Sequence, residues 1–315
     1  MSSNPLVHPG ENQCLPPNAL KLLRLRNAAL LRLRSAKITI SLFVAFSALT
    51  GYAVQAHRLD ITALFAFAGM MLLAAGSATI NNIQDRKIDR QFSRTAHRPL
   101  ACGALSVSQG KRQSIALLSA GCLLLYLATD SPWPLLLGIT GVVCYNLLYT
   151  PLKFRTLWAI VPGVICGMIP PLVGWIAAGG QLGSPRIWLI MILLGLWQPP
   201  HAWLIMLANA DELPTADSRN ILSFFSTFQV SRILFIWVCS FMAVLSLLPA
   251  FGILAYSFYS TTLVLAGGLA AGWYAWGLFK VRTRKTYRYL FTLLNSVLAL
   301  TMLYCLLENI NAAAI

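Results

Sequence analysis

The sequence has few charged residues, and acids are the scarcest of them. Only 10% of its 315 residues are charged and just nine are Asp or Glu, while 57% are hydrophobic. A soluble domain carries about 25% charged residues. Most of this chain therefore does not meet water, and its natural unit is the membrane-spanning segment of about 20 apolar residues.

Cysteine pairs are missing as well. The seven cysteines are scattered, none forms a CxxC pair, and most lie inside apolar runs. This pattern argues against a disulfide framework or a zinc site and favours small buried core residues. No basic patch interleaved with aromatic residues occurs, so the net charge of +15 does not indicate a nucleic-acid partner.

Nine apolar runs make up most of the chain. They lie at 38–56, 61–83, 113–129, 132–149, 157–178, 187–207, 227–249, 251–278 and 288–308. We therefore predict an all-α membrane protein of about nine transmembrane helices around a central cavity. Residues 1–37 form a cytoplasmic tail that ends in a basic amphipathic segment suited to an anionic membrane surface. Residues 38–309 form the membrane domain.

The basic residues separate the two sides of the predicted membrane domain. If nine helices alternate, all of the 24 Lys and Arg residues except Arg58 and Arg186 fall on one side. The positive-inside rule places that side and the N-terminus in the cytoplasm, with the C-terminus opposite. We expect a bacterial inner membrane. A mitochondrial inner membrane is the alternative, because the N-terminal segment is also basic and acid-poor, as transit peptides are.

Acids and an amide are concentrated at the end of the second apolar run. Asn81, Asp85 and Asp89 are four residues apart, which places them on one helix face. Two carboxylates one turn apart repel each other unless a cation or water screens them, and Mg²⁺ typically takes one or two carboxylates plus phosphate oxygens. This stripe predicts a Mg²⁺–diphosphate site, in which Asn81 supports the metal ligands. A solvated helix end is the alternative.

Cations follow this stripe closely. Arg94 and Arg98 come next in the chain, and arginine matches phosphate oxygens well. Lys153 and Arg155, after the fourth run, are candidates for the same anion or anchors of the positive-inside kind.

The sixth run carries further polar residues. Its paired prolines, Pro199 and Pro200, predict a break in the helix beside His201. A histidine inside a span is a functional candidate, here as a contact to an acceptor substrate or as its proton acceptor. Further along are the acids Asp211, Glu212 and Asp217, which are candidates for a second set of metal ligands.

Taken together, these motifs resemble those of the UbiA-type intramembrane prenyltransferases, and within them the protoheme IX farnesyltransferase (heme O synthase) family. The family motif N-x-x-x-D-x-x-x-D is matched by Asn81, Asp85 and Asp89. Four more motifs follow in family order: R-T-x-x-R-P-L at 94–100, Y-T-P-L-K-R at 149–154 with Phe154 at the last position, P-P-x-x-G-W at 170–175 and W-Q-x-P-H at 197–201.

The resemblance implies transfer of a farnesyl group from farnesyl diphosphate to a vinyl group of heme B, with Mg²⁺ as cofactor. It also implies the lipid bilayer as surroundings, and heme A synthase or terminal-oxidase assembly factors as partners. The implied site comprises Asn81, Asp85, Asp89 and His201 as catalytic residues, Arg94, Arg98, Lys153 and Arg155 for diphosphate, and Asp85, Asp89, Asp211, Glu212 and Asp217 for metal.

One segment departs from the family pattern. After the sixth run the family usually shows D-D-Y or K-D-Y and then G-I-P-M-L, whereas 209–222 keeps acids but lacks the Tyr, the Lys and the G-I-P. A related prenyltransferase with another acceptor, such as an aromatic quinone precursor, therefore stays open, as does a non-catalytic heme-handling protein. A transporter is disfavoured, because the acids lie at helix ends on one side and no internal repeat is visible.

Overall fold

The computed structural model describes residues 17–210, 221–254, 258–280 and 283–311, and it is helical almost throughout. No β-strand occurs in these four ranges. The helices in chain order are α1 (Pro17–Ser35), α2 (Ile38–Ala56), α3 (Ile61–Asp89), α4 (Val107–Ala128), α5 (Trp133–Val143), α6 (Thr150–Leu152), α7 (Ile160–Ala177), α8 (Pro185–Ala208), α9 (Thr227–Leu247), α10 (Phe258–Lys280) and α11 (Arg284–Asn311). A π-helical turn, Cys144–Tyr149, joins α5 to α6 without a break.

Seven helical segments of the described chain are long and apolar enough to cross a membrane. They are Ile38–Ala56, Ile61–Asp89, Trp133–Leu152, Leu157–Ala177, Pro185–Leu207, Thr227–Leu247 and Arg284–Ile310. The chain is therefore a multi-pass, all-helical membrane protein. Each of the nine predicted runs coincides with a helix, but α4 and α10 are not among the seven. The first turns of α4 contain Gln109, Lys111 and Arg112, which lower its mean hydropathy. The count of nine spans stays a prediction.

The helices pack as a closed ring in which neighbours along the chain are neighbours in space. Contacts run from α2 through α3, α4, α5, α7, α8, α9 and α10 to α11, which packs back against α2. α2 also packs against α7, and α8 packs against α11.

Two glycines permit the close contact of α2 with α7. A Cβ atom on Gly51 would overlap the carbonyl of Pro171, and one on Gly174 would overlap the carbonyl of Ala48. Small residues allow this backbone approach between membrane helices, where van der Waals packing drives association. The contact fixes the position of α2 and of Lys37, the residue just before it.

The predicted break at the paired prolines is wrong. α8 continues from Pro185 to Ala208 with Pro199 and Pro200 buried inside it. Each proline removes one intrahelical hydrogen bond, and membrane helices tolerate this loss where neighbouring helices cover the freed backbone groups. His201 therefore stays on a continuous helix that packs against α7, α9 and α11.

Candidate functional site

The predicted polar stripe lies on the last turns of α3 and is buried. Asn81 is 1% exposed, and Asp85 and Asp89 are each 6% exposed. α3 extends as far as Asp89, so the four-residue spacing does place the three side chains on one face. Carboxylates are almost never this buried unless they are paired. Both of these have cationic partners, which rules out a merely solvated helix end.

Asp85 is held by a lysine and an amide. Lys153, just after α6, forms an ion pair with the Oδ2 atom of Asp85. The side-chain nitrogen of Asn81 donates to the same oxygen over 2.9 Å and to the hydroxyl of Thr150 over 3.1 Å. The structure thus brings Lys153 to the predicted stripe, and its role in anion binding stays a prediction.

Asp89 is held by an arginine from the following turns. The Nη1 atom of Arg98 donates to both carboxylate oxygens of Asp89, each over 2.9 Å. The hydroxyl of Thr95 donates to the backbone carbonyl of Asp89 over 2.9 Å, which folds this connection back onto the end of α3. Charge-assisted hydrogen bonds of this kind are about twice as strong as neutral ones.

Lys37 contacts the predicted stripe, and sequence reasoning missed this contact. Its ammonium donates to the Oδ1 atom of Asn81 over 2.7 Å, although 44 positions separate the two residues. Its backbone has a φ of 47°, a left-handed conformation that costs roughly 1–3 kcal/mol in a non-glycine residue. Burial, followed by the nearby charges of Arg98 and Lys153, lowers the pKa of Lys37 to about 7. In the sequence, Lys37 is one of six basic residues in a tail, and nothing distinguishes it.

The π-helical turn positions Lys153 against α3. Such turns are frequent at functional sites. Within it, Asn146 accepts a hydrogen bond from the hydroxyl of Ser77 over 2.6 Å and donates to the carbonyl of Ser77 over 3.0 Å. Tyr145 and Tyr149 stack with their ring centroids 5.5 Å apart. We call Lys37, Asn81, Asp85, Asp89, Arg98 and Lys153 the charged cluster.

The other predicted anion and metal ligands are placed differently. Arg94 and Arg155 are exposed, on the connections that also carry Arg98 and Lys153. Asp211, Glu212 and Asp217 lie outside the described residues. The structure therefore brings together two of the four predicted diphosphate ligands and two of the five predicted metal ligands.

The charged cluster has donors suited to Mg²⁺. In the described ranges no group of three or more His, Cys, Asp and Glu residues could hold a metal by itself. Mg²⁺, however, needs only one or two carboxylates when phosphate oxygens and water complete its shell. Asp85 and Asp89 are buried oxygen donors one turn apart. Their partners Lys153 and Arg98 can turn to phosphate oxygens, so the residues present fit a metal that arrives with a phosphate ligand.

A second polar position lies where α8 meets α11. The Nδ1 atom of His201 is 2.9 Å from the Oδ1 atom of Asn295. The imidazole contacts the rings of Trp197 and Phe291, with centroid distances of 4.3 and 4.8 Å. We call Trp197, His201, Phe291 and Asn295 the histidine cluster. Asn295 was missed in the sequence, where an amide inside the last apolar run was the only available signal.

A cavity of about 610 Å³ opens at the opposite end of α3 from the charged cluster. Thr62, Tyr126 and Asp130 are among the residues that line it, and no candidate site residue does so. It is therefore separate from the central cavity that the sequence predicts.

Comparison with known proteins gives a coherent set of relatives. The sequence matches the UbiA prenyltransferase family over residues 43–300. The protoheme IX farnesyltransferase of Geobacter sulfurreducens is 36% identical over 216 residues, which cover 69% of this chain and 79% of that protein. The protein of the same name from Oleidesulfovibrio alaskensis is 33% identical over 240 residues, with 73% and 82% covered.

Solved structures show the same fold. A UbiA homolog from Archaeoglobus fulgidus, bound to GPP and Mg²⁺, superposes with a TM-score of 0.66 at 14% identity and covers 89% of this chain and 99% of its own. The apo structure of a UbiA homolog from Aeropyrum pernix K1 gives 0.62 at 20% identity, with 84% and 98% covered. At these identities the likeness concerns the fold alone.

Proposed function

Because the chain belongs to the UbiA prenyltransferase family and is a prenyltransferase, we propose that it transfers a farnesyl group from farnesyl diphosphate to a vinyl group of heme B, giving heme O and diphosphate. The relatives named protoheme IX farnesyltransferase support this donor and acceptor. The observation that carries the proposal is the charged cluster, in which two buried carboxylates are each held by a cation.

The charged cluster is suited to a diphosphate with Mg²⁺. Asp85 and Asp89 would hold the metal, and Asn81 would orient them. Mg²⁺, when bound, supplies Lewis-acid stabilisation of the charge that develops on the leaving group. Arg98 and Lys153 can exchange their carboxylate partners for phosphate oxygens. Lys37 is poised for the same anion, because a nearby negative charge favours its ammonium form.

Bond changes in the proposed reaction balance without a redox partner. The carbon–oxygen bond of the donor breaks and its electron pair leaves with diphosphate. The allylic cation then takes an electron pair from the vinyl group, water adds to the resulting cation, and a proton passes to the departing diphosphate. Tyr145 and Tyr149 stack on each other in the π-helical turn that precedes Lys153, and such aromatic rings can stabilise a nearby cation. Burial of the site limits premature hydrolysis.

The proposed topology has nine spans, which are the seven apolar segments together with α4 and α10, around a central cavity. The N-terminus and the charged cluster face the cytoplasm of a bacterium, and the C-terminus lies on the other side of the inner membrane. The distribution of Lys and Arg supports this orientation. Exposed Arg94 and Arg58, each replaced by Cys in separate variants, should react with an impermeant thiol reagent from opposite sides of oriented vesicles.

The test of function uses the purified full chain in liposomes with farnesyl diphosphate and Mg²⁺. Heme B and an aromatic acid are offered in parallel, and products are read by mass spectrometry. We expect a farnesylated heme of the mass of heme O. Asp85→Ala should abolish it, whereas Asp130→Ala, at an exposed acid beyond α4, should not. A prenylated aromatic acid without any heme product would overturn the assignment of the acceptor.

A further inference from the structure

The geometry of the histidine cluster points to a specific role for His201. We infer that its Nε2 atom is an axial ligand of the heme iron in the acceptor complex, and that Asn295 is the residue that positions the imidazole for this bond. The inference rests on the proposed function, because heme is the acceptor there. It assigns to this chain an iron contact and a positioning residue on α11.

The hydrogen bonds determine which nitrogen of His201 is available. The side-chain nitrogen of Asn295 donates to the backbone carbonyl of Phe291, so its Oδ1 atom faces His201 as an acceptor. Only a protonated Nδ1 can donate to that oxygen. The lone pair of the neutral ring is therefore on Nε2. Nε2 has no hydrogen-bond partner among the described residues, and part of its surface is accessible.

This arrangement matches that of metal-binding histidines. Such a histidine almost always donates its second ring N–H to an oxygen acceptor, which fixes the tautomer and makes the other nitrogen a better ligand. Heme iron commonly takes a neutral imidazole as an axial ligand. A histidine that served only to join α8 to α11 would need the Asn295 contact but would have no need of a free Nε2.

The surroundings of His201 favour a flat, apolar ligand. The rings of Trp197 and Phe291 contact the imidazole, and Phe43 of α2 contacts Trp197 at a centroid distance of 5.7 Å. Trp197 is 6% exposed, and its indole Nε1 finds no acceptor among the described residues. A buried donor of this kind is costly unless a partner arrives, and a porphyrin carries carboxylates that accept hydrogen bonds. The imidazole, the aromatic rings and the indole donor thus fit the iron, the flat ring and the carboxylates of one heme.

The experiment is a titration of purified protein in nanodiscs with ferric heme B, followed by visible and electron paramagnetic resonance spectra. The wild-type protein should show the spectrum of imidazole-ligated heme. In His201→Ala that spectrum should be lost, the dissociation constant should rise by about tenfold or more, and added imidazole should restore the spectrum. Asn295→Ala should keep the imidazole spectrum with about a tenfold weaker affinity. His97→Ala, at an exposed histidine, is the matched control and should change neither quantity.

Binding of farnesyl diphosphate shows that each variant is folded. If His201→Ala does not fold, His201→Met is used instead, and it should replace the imidazole spectrum with that of thioether-ligated heme. An unchanged spectrum and affinity in a folded His201 variant overturns the iron contact, even if heme is still farnesylated. A wild-type protein that prenylates an aromatic acid and binds no heme overturns the proposed function, and the iron contact with it. The two failures are thus distinguishable.

Discussion

The charged cluster and the histidine cluster are two polar positions of opposite character in one ring of helices. In the charged cluster, buried carboxylates and cations meet in pairs, and the residues come from four separate stretches of chain. In the histidine cluster the groups are neutral, and aromatic rings surround a single imidazole. The difference shows that this chain keeps paired charges at the ends of helices, whereas it surrounds the imidazole with aromatic rings where α8 meets α11.

The largest expected effect is the loss of one carboxylate from the charged cluster. On the proposed function, Asp85→Asn should lower turnover by at least about 10²–10³-fold, because an amide oxygen is a weaker ligand for Mg²⁺ than a carboxylate. Product formation by mass spectrometry measures it, with Asp130→Asn as the control. Removal of Asp85 also leaves Lys153 buried without its partner, so the unfolding midpoint is recorded alongside. Wild-type turnover in Asp85→Asn would contradict the role of this cluster.

Variants of the two clusters should change the KM for different substrates. Arg98→Gln should raise the KM for farnesyl diphosphate about 10–100-fold, since a hydrogen bond to a charged group is worth about 1.5–3 kcal/mol, and it should leave the KM for heme unchanged. His201→Ala should do the reverse. Steady-state kinetics with each substrate varied in turn tests both. If both variants raise the KM for the same substrate, the assignment of one substrate to each cluster is wrong.

A smaller effect is expected at the close contact of α2 with α7. Gly174→Ala should destabilise the protein by about 1–3 kcal/mol, because the added methyl group overlaps the carbonyl of Ala48. Thermal unfolding in detergent measures this loss. Gly268→Ala is the control, because among the described residues no atom outside the local helix backbone lies within 4 Å of a Cβ there. Equal midpoints for both variants would show that the close contact is not needed.

The smallest expected effect is a pH dependence that arises from Lys37. Its pKa of about 7 in the folded protein is lower than its usual value of 10.5. Between these pH values the unfolded chain binds a proton that the folded protein lacks, so Lys37 makes the protein more stable as the pH rises through this window. Below pH 7 the lysine is protonated in both states and the cost of burying its charge is fully present.

Lys37→Met removes this pH-dependent contribution to the stability of the protein. The stability of the variant relative to wild type should therefore be most favourable near pH 6 and should become less so as the pH rises towards 10. The lost hydrogen bond to Asn81 adds an offset that barely depends on pH. Unfolding midpoints of both proteins at pH 6, 8 and 10 provide the measurement. A difference that is the same at all three values would contradict the burial of a charged amine.

Much of the fold was predictable, because apolar runs of membrane length allow few alternatives. The nine runs coincide with helices, and the spacing of Asn81, Asp85 and Asp89 predicted their shared face correctly. The prediction failed at Pro199 and Pro200, where a rule for isolated helices ignored the packing around α8. A local rule describes the cost of a proline, and the neighbouring helices decide whether the helix tolerates it.

Hydropathy and helical periodicity are local properties, so the membrane class, the family motifs and the stripe of oxygen donors on α3 could be predicted from the order of the amino acids. Which groups meet those donors depends on how the helices pack. Lys37 reaches Asn81 across 44 positions, and Asn295 reaches His201 across 94. Nothing in the neighbourhood of either residue encodes its partner. The packing of α2 against α3 brings the first pair together, and the packing of α8 against α11 brings the second pair together.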